Sequence, residues 1–257
     1  MQKPRPRIAI ILDDIGYNRT TGERALQLPA EVSIAVIPFT PYGHSLAKEA
    51  HAQGRNILLH MPMESTDPSR RLDAGGLTLA QTETEIRQRV SAAIADQPYA
   101  IGMNNHMGSQ ITIDPVIMGW VMSEVKQTSL FFIDSMTNPQ SVAGQTAHDY
   151  AIPSIRRDVF LDNRTDPDSI DKAFNRLITL AKRNGHAVAI GHPHGTTLTY
   201  LQEKLPQLSQ LGVELVTISA LTSQYGKPVD QPIRLEDLTR WIIAMPSPSA
   251  SRLNFAN

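Results

Sequence analysis

Eight short apolar runs recur along this chain, each separated from the next by a segment with helix signals. They are IAIIL, VSIAVI, NILLH, AIGM, LFFID, RDVFL, AVAIG and ELVTI. The runs are continuous and rich in β-branched residues rather than alternating, the pattern of strands covered on both faces. The segments between them carry start and stop signals. DPVIMGWVMSEVKQ opens on Asp114 as an N-cap with Pro115 at the first helical position. QTETEIRQRVSAAIAD sets Ile86, Val90, Ala93 and Ile94 on one face, and DSIDKAFNRLITLAKRNG stops at Gly185. Strand and helix alternating with short connections predict a mainly parallel sheet, closed as a barrel or doubly wound.

Composition narrows the chemistry. An apolar fraction of 41% over 257 residues is ample for a sizeable core. The formal charge of -1 removes a broad electrostatic case for nucleic acid or an anionic membrane. With no cysteine there are no disulfides, thiolate metal sites or cysteine nucleophile. MQKPRPRIAIILDDIG has neither the apolar length nor the cleavage site of a signal peptide, and no stretch suits a membrane span. If the protein is exported with a leader since removed, the expected location is the periplasm or cell envelope. One domain over residues 7–222 is the simplest division. Residues 223–257 read as a loosely ordered tail in which LEDLTRWIIAM has the pattern of one short helix.

In parallel α/β folds ligands bind beyond the carboxyl ends of the strands, so the residues just past each run are informative. Asp13 and Asp14 come after the first, and His60 and Glu64 lie in HMPME. Asn104, Asn105 and His106 lie in NNHMGS, and Asp134 and Ser135 come after LFFI. Arg156, Arg157 and Asp158 precede VFLD, and His192 and His194 lie in GHPHG. Four of the eight histidines thus fall at strand ends in Pro- or Gly-containing loops. His44, His51, His148 and His186 have helical or surface-like contexts and read as structural. So do Asp73 and the acids of DPD at 166–168, since such residues commonly shape turns and caps.

Imidazole and carboxylate without thiolate suit Zn²⁺, or alternatively Mn²⁺, Co²⁺ or Fe²⁺. Of two adjacent carboxylates, one can bind metal while the other serves as base toward a water, because a turn lets neighbours point differently; Gly16 supports such a turn. A GxSxG elbow and a Gly-rich phosphate loop are both absent. Metal-assisted hydrolysis is the chemistry these residues allow.

The motifs ILDDIG, LLHMPME, GMNNHMGS, FFIDSMT, RRDVFLDN and AIGHPHG, in this order, resemble the divergent polysaccharide deacetylase family, related to the NodB-homology carbohydrate esterases. The resemblance implies a distorted (β/α) barrel of about seven parallel strands. It further implies a metal-dependent hydrolase that removes an N-acetyl or related acyl group from a carbohydrate or envelope glycan. By the same resemblance Asp13 is the base, Asp14 and His60 are metal ligands, and His192 protonates the leaving amine. The family group expects a second histidine where Glu64 stands. Either Glu64 substitutes or His106 enters from the next strand; His106 is the favoured ligand, with Glu64 and His194 as outer or alternative ligands. Asn105 is a candidate donor to the oxyanion, and Arg157 and Asp158 are candidates to orient a catalytic carboxylate. Two rivals stand beside this expectation, a non-catalytic envelope protein binding glycan or a partner and a metal amidase acting on peptidoglycan.

Overall fold

The computed structural model describes residues 5–227; the LEDLTRWIIAM helix expected near the C-terminus lies outside them. Nine parallel strands form one curved sheet: β1 (Arg7–Ile15), β2 (Ser33–Val36), β3 (Ile57–Met63), β4 (Gly102–Met107), β5 (Phe131–Asp134), β6 (Ser154–Arg156), β7 (Val159–Phe160), β8 (His186–Gly191) and β9 (Glu214–Leu215). The hydrogen-bonded order is β6-β5-β4-β3-β2-β1-β8-β7, with β9 paired to β1. The two ends of that order, β6 and β7, are consecutive in the chain. Only Arg157 and Asp158 separate them, so the barrel is closed there by the chain rather than by a ladder. Their amides reach opposite lips of this seam: Arg157 N donates to Asp134 O (2.9 Å) and Asp158 N to Val188 O (2.9 Å).

The expected barrel is therefore present, with two more strands than the seven expected. The additions are short. RDVFL, expected as one strand, gives up Arg157 and Asp158 to the seam and keeps only Val159 and Phe160 in β7. Ser154–Arg156 pairs with β5 although it has no apolar run to announce it. ELVTI holds its strand for two residues before α8 (Ile218–Tyr225) begins, and that helix carries regular structure past Ser223, where the tail was expected to start.

Helices α1 (Arg19–Ala25), α2 (Gly43–Ala52), α3 (Glu83–Asp96), α4 (Pro115–Val125), α5 (Ala143–Asp149), α6 (Pro167–Asn184) and α7 (Gly195–Lys204) fill the connections between strands. Asp114 caps α4 through Val116 N and Ile117 N, and Thr82 and Glu85 form a capping box on α3. Asp166 caps α6 by accepting from Ser169 N, which gives the DPD acids the local role expected of them. Gly185 ends α6 in the left-handed region at φ 86°. Along α6, Ile170, Phe174, Leu177, Ile178 and Ala181 are buried as one stripe. Each large side chain of that stripe contributes about 1.5–3 kcal/mol by leaving water.

Strand parity decides what reaches the barrel mouth, since alternate side chains face opposite sides of a sheet. On β1, Ile8, Ile10 and Leu12 pack outward against helices, while Ala9 and Ile11 join the interior cluster with Ala35, Leu58, Ile133, Val188 and Ile190. Continuing the inward series by steps of two from these residues leads to Asp13, His60, Ser135 and His192. Asn104 and His106 are inward on β4, because Met103 beside Asn104 packs outward.

Candidate metal centre and proton-transfer pair

Asp14 breaks the parity rule. It belongs to the outward series of β1, yet it takes a left-handed backbone (φ 58°) where the β1–β2 register is irregular, between Leu12 and Ile15. That conformation costs a non-glycine residue about 1–3 kcal/mol and swings the carboxylate back over the barrel mouth. Two adjacent acids thereby face one cavity. The strand runs through both of them to Ile15, rather than ending before them as the apolar run suggests. A glycine stands next, at Gly16, because a Cβ there would collide with Thr40 Oγ1.

Three lone-pair atoms converge above β1, β3 and β4. Asp14 Oδ1 lies 2.9 Å from His106 Nδ1 and 3.2 Å from His60 Nε2, and the two nitrogens are 3.1 Å apart. The outer nitrogens define the tautomers. His60 Nδ1 donates to Asn104 Oδ1 (2.9 Å), and His106 Nε2 faces Asp73 Oδ2 (3.2 Å), both acceptor oxygens. With the outer nitrogens so engaged, the inner nitrogens are the ones aimed at the carboxylate. Asp14 Oδ1 is buried and, although close to both rings, makes no aligned hydrogen bond. Two ligands at about 2.1 Å from one ion stand about 3.0 Å apart at right angles and about 3.4 Å apart at the tetrahedral angle. The spacing, the imidazole and carboxylate donors and the orphaned oxygen fit a divalent cation on Asp14, His60 and His106, with the cavity side open. No other histidine, aspartate or glutamate among the described residues joins this triangle.

The charges agree. Burial works against an ionised Asp14, but His106 and then His60 hold its carboxyl far below the usual range. Burial likewise opposes an imidazolium at His106, and its contacts to Asp14 and Asp73 nevertheless push it up to about 10. The protein alone draws positive charge to this point.

Asp13 sits behind the triangle. Its Oδ1 accepts from Asn104 Nδ2 (2.9 Å), and its Oδ2 lies 3.4 Å from His60 Nε2. Burial pushes its carboxyl up, with His60 and His192 acting the other way, so it is a stronger base than an exposed aspartate. Across the mouth, Asp162 Oδ1 accepts from His192 Nδ1 (2.9 Å), and Asp162 Oδ2 accepts from His192 N (2.7 Å) and Thr197 Oγ1 (2.8 Å). That leaves His192 Nε2 facing the cavity, 3.9 Å from Asp14 Oδ2. Burial lowers an imidazolium here, but the bond to Asp162, with Asp14 and Asp13 nearby, raises it to about 9. The cavity between these groups has a volume of about 330 Å³ and reaches Phe160 and Ser135.

Of the residues singled out in the sequence, Asp13, Asp14, His60, His106 and His192 come together in this cavity. Glu64 does not join the triangle: its Oε2 accepts from Leu79 N (2.8 Å), anchoring the loop after β3. Asn105 lines the cavity, but its amide donates to Met107 O (2.8 Å) and Thr137 Oγ1 (3.4 Å), and its Oδ1 accepts from Ser135 N. It braces two strand ends and has no free donor for an oxyanion. Arg157 donates from Nε and Nη2 to Ser135 O and Met136 O (2.7 Å each), which makes it a backbone clamp rather than a partner of a carboxylate. Asp158 accepts from Val188 N (2.8 Å) and serves the seam. His194 groups with Asp162 and His192 rather than with Asp14, and is exposed at the N-cap of α7.

Three further contributors lie outside the residues that the sequence assigns to the site. Asp73, expected as a loop residue, sets the His106 tautomer and accepts from Tyr17 OH (2.5 Å). Asn104 links Asp13 to His60. Asp162 fixes His192, and its signal is its place two residues beyond Phe160 on the inward parity of β7. The remaining histidines have structural partners: His44 pairs with Asp96, His51 stacks on Tyr99, His148 meets Ser154 O and His186 stacks on Tyr225.

Fold and site define a class: a parallel α/β barrel whose mouth sets a His–His–Asp triangle against a His–Asp pair. The sequence model of the family described as divergent polysaccharide deacetylase matches residues 10–222, and the chain belongs to that family. An uncharacterised protein of Haemophilus influenzae Rd is 38% identical over 215 residues, 84% of this chain and 76% of that one. An uncharacterised Agrobacterium tumefaciens C58 protein of known structure superposes with a TM-score of 0.81 at 23% identity, covering 86% of this chain and 91% of its own. A T48 deacetylase solved with substrate shares the fold at a TM-score of 0.52 and 15% identity, over 86% and 92% of the two chains.

Proposed function

We propose that the protein hydrolyses an N-acetyl or related acyl amide on a carbohydrate, using a divalent cation, Zn²⁺ first among the candidates, held by Asp14, His60 and His106. The observation that carries this reading is the convergence of the buried Asp14 Oδ1 with His60 Nε2 and His106 Nδ1, facing a second imidazole–carboxylate pair. A cation there supplies Lewis-acid polarisation of the acyl carbonyl and acidifies the attacking water. Asp13 accepts the water's proton, and Asn104 holds Asp13 and His60 in register. As the new C–O bond forms and the C–N bond breaks, His192 Nε2 delivers a proton to the departing nitrogen. Asp162 fixes the His192 ring and stabilises its charged form. The products are a carboxylate and an amine.

Family membership supports a glycan substrate, and a polymer of the cell envelope is the substrate this reading assigns, with the protein acting in that compartment. Among the described residues no helix is long and apolar enough to cross a membrane. The test is acetate release from N-acetylated amino-sugar oligomers by chelator-stripped protein before and after Zn²⁺, Mn²⁺ or Co²⁺ is returned. Recovery on return of metal, and loss of turnover in Asp13→Asn with metal retained, are the expected results. Bound metal without acetate release from any such oligomer overturns the proposal.

A further inference from the structure

A second cavity, of about 370 Å³, lies immediately beyond Phe160. Phe160 lines both cavities, with its ring centroid 6.2 Å from that of His192 on one side and 3.6 Å from the Arg157 guanidinium on the other. The second cavity differs in charge from the first. Arg157, Arg164, Lys172 and Arg176 line it, with Ser169 at the start of α6. Its one acid, Asp158, is already committed to Val188 N.

These cations are poorly neutralised. Lys172 and Arg176 are exposed one turn apart on α6, a like-charge spacing that disfavours the helix by a few tenths of a kcal/mol unless an anion intervenes. Neither is in an ion pair with a described residue; Arg164 alone has one, to exposed Asp166. Arg157 uses Nε and Nη2 on carbonyls and makes no hydrogen bond from Nη1 to a described residue. In a chain of net charge -1, this is a local concentration of unspent positive charge opening onto the catalytic mouth. Guanidinium forks are suited to oxyanions, and exposed ammonium adds attraction at longer range.

The geometry points to an acidic glycan as the substrate, with a carboxylate or phosphate on a unit neighbouring the acyl-bearing sugar and bound by Arg164, Lys172 and Arg176. This rests on the deacetylase reading for its acyl-bearing unit, while the groove's affinity for oxyanions can be measured apart from it. Phe160 stands between the two subsites.

The test uses three N-acetylated tetrasaccharides of equal length, one neutral, one bearing carboxylates on alternate sugars and one bearing phosphates. Binding to the metal-loaded protein is measured by calorimetry at low and high salt, and acetate release is followed separately. At least one anionic probe is expected to bind about tenfold tighter than the neutral one at low salt, converging with it as salt rises. Whichever anion binds tighter identifies the source. The Lys172→Ala/Arg176→Ala variant is expected to bind all three alike, with affinity for the neutral probe unchanged. Equal binding of all three by the native protein at low salt, or no binding of any, overturns the proposal whatever the variant does. Groove-dependent binding without acetate release overturns the deacetylase reading and leaves the groove. Acetate release from all three at equal affinity and rate does the reverse.

Discussion

The two walls of the barrel mouth use the same pair of residue types in opposite ways. On the β1–β3–β4 wall, Asp14 faces two imidazoles with no aligned hydrogen bond between them, because Asn104 and Asp73 hold the rings by their outer nitrogens. On the β7–β8 wall, Asp162 bonds the His192 ring directly through Oδ1, and Thr197 and a backbone amide donate to its Oδ2. The first arrangement exposes a set of electron pairs and suits a cation. The second stabilises a proton on one imidazole and suits its delivery. What a histidine–aspartate pair does is decided by which nitrogen the carboxylate engages and by what holds the other one.

The largest expected effect comes from removing the carboxylate that defines the first wall. Asp14→Ala should abolish stoichiometric metal uptake, measured by elemental analysis after dialysis, and lower turnover at least about 10³-fold. Retention of full metal content would place the cation elsewhere. Asp73→Asn should be smaller: it leaves all three inner atoms and weakens metal affinity about 10–100-fold by loosening the His106 tautomer. Glu64→Gln is its control and should leave affinity unchanged; a comparable loss there would return Glu64 to the ligand set. The smallest effect sharpens the second wall. In metal-free protein the His192 imidazolium, raised to about 9, should titrate well above its ordinary 6.5 by nuclear magnetic resonance, and Asp162→Asn should bring it down. Because its folded value is raised, the stability His192 contributes is fully present below about pH 6.5 and lost as pH climbs through about 9. A titration unmoved by Asp162→Asn would break the contrast between the walls.

The strand runs made the barrel legible, and the residues just past each run placed Asp13, His60, His106 and His192 at one rim. Parity carries the rest of the inward set. Stepping by two from Ile11 reaches Asp13, and stepping by two from Phe160 reaches Asp162, which a reading of RDVFL as one strand obscures. Asp14 is different in kind. It reaches the site only through a left-handed φ, and no apolar period encodes that. Asp73 is hidden for another reason: the loop from 64 to 82 is folded back by Glu64 N on Leu77 O and Leu77 N on Pro62 O, contacts without a sequence period. Glu64 stands where a family spacing expects a ligand, and its carboxylate serves that same loop.

The seam at Arg157 and Asp158 carries a mechanical consequence. Elsewhere around the barrel, widening the mouth means breaking strand pairs, a cost shared by many hydrogen bonds. Between β6 and β7 the distance is set by two residues, one clamping Ser135 and Met136 and the other holding Val188. Ser135 and Phe160 flank this gap and both line the cavity that holds Asp13, Asp14 and His192. The barrel is thus a clip rather than a ring, and its gap is held by one guanidinium and one carboxylate.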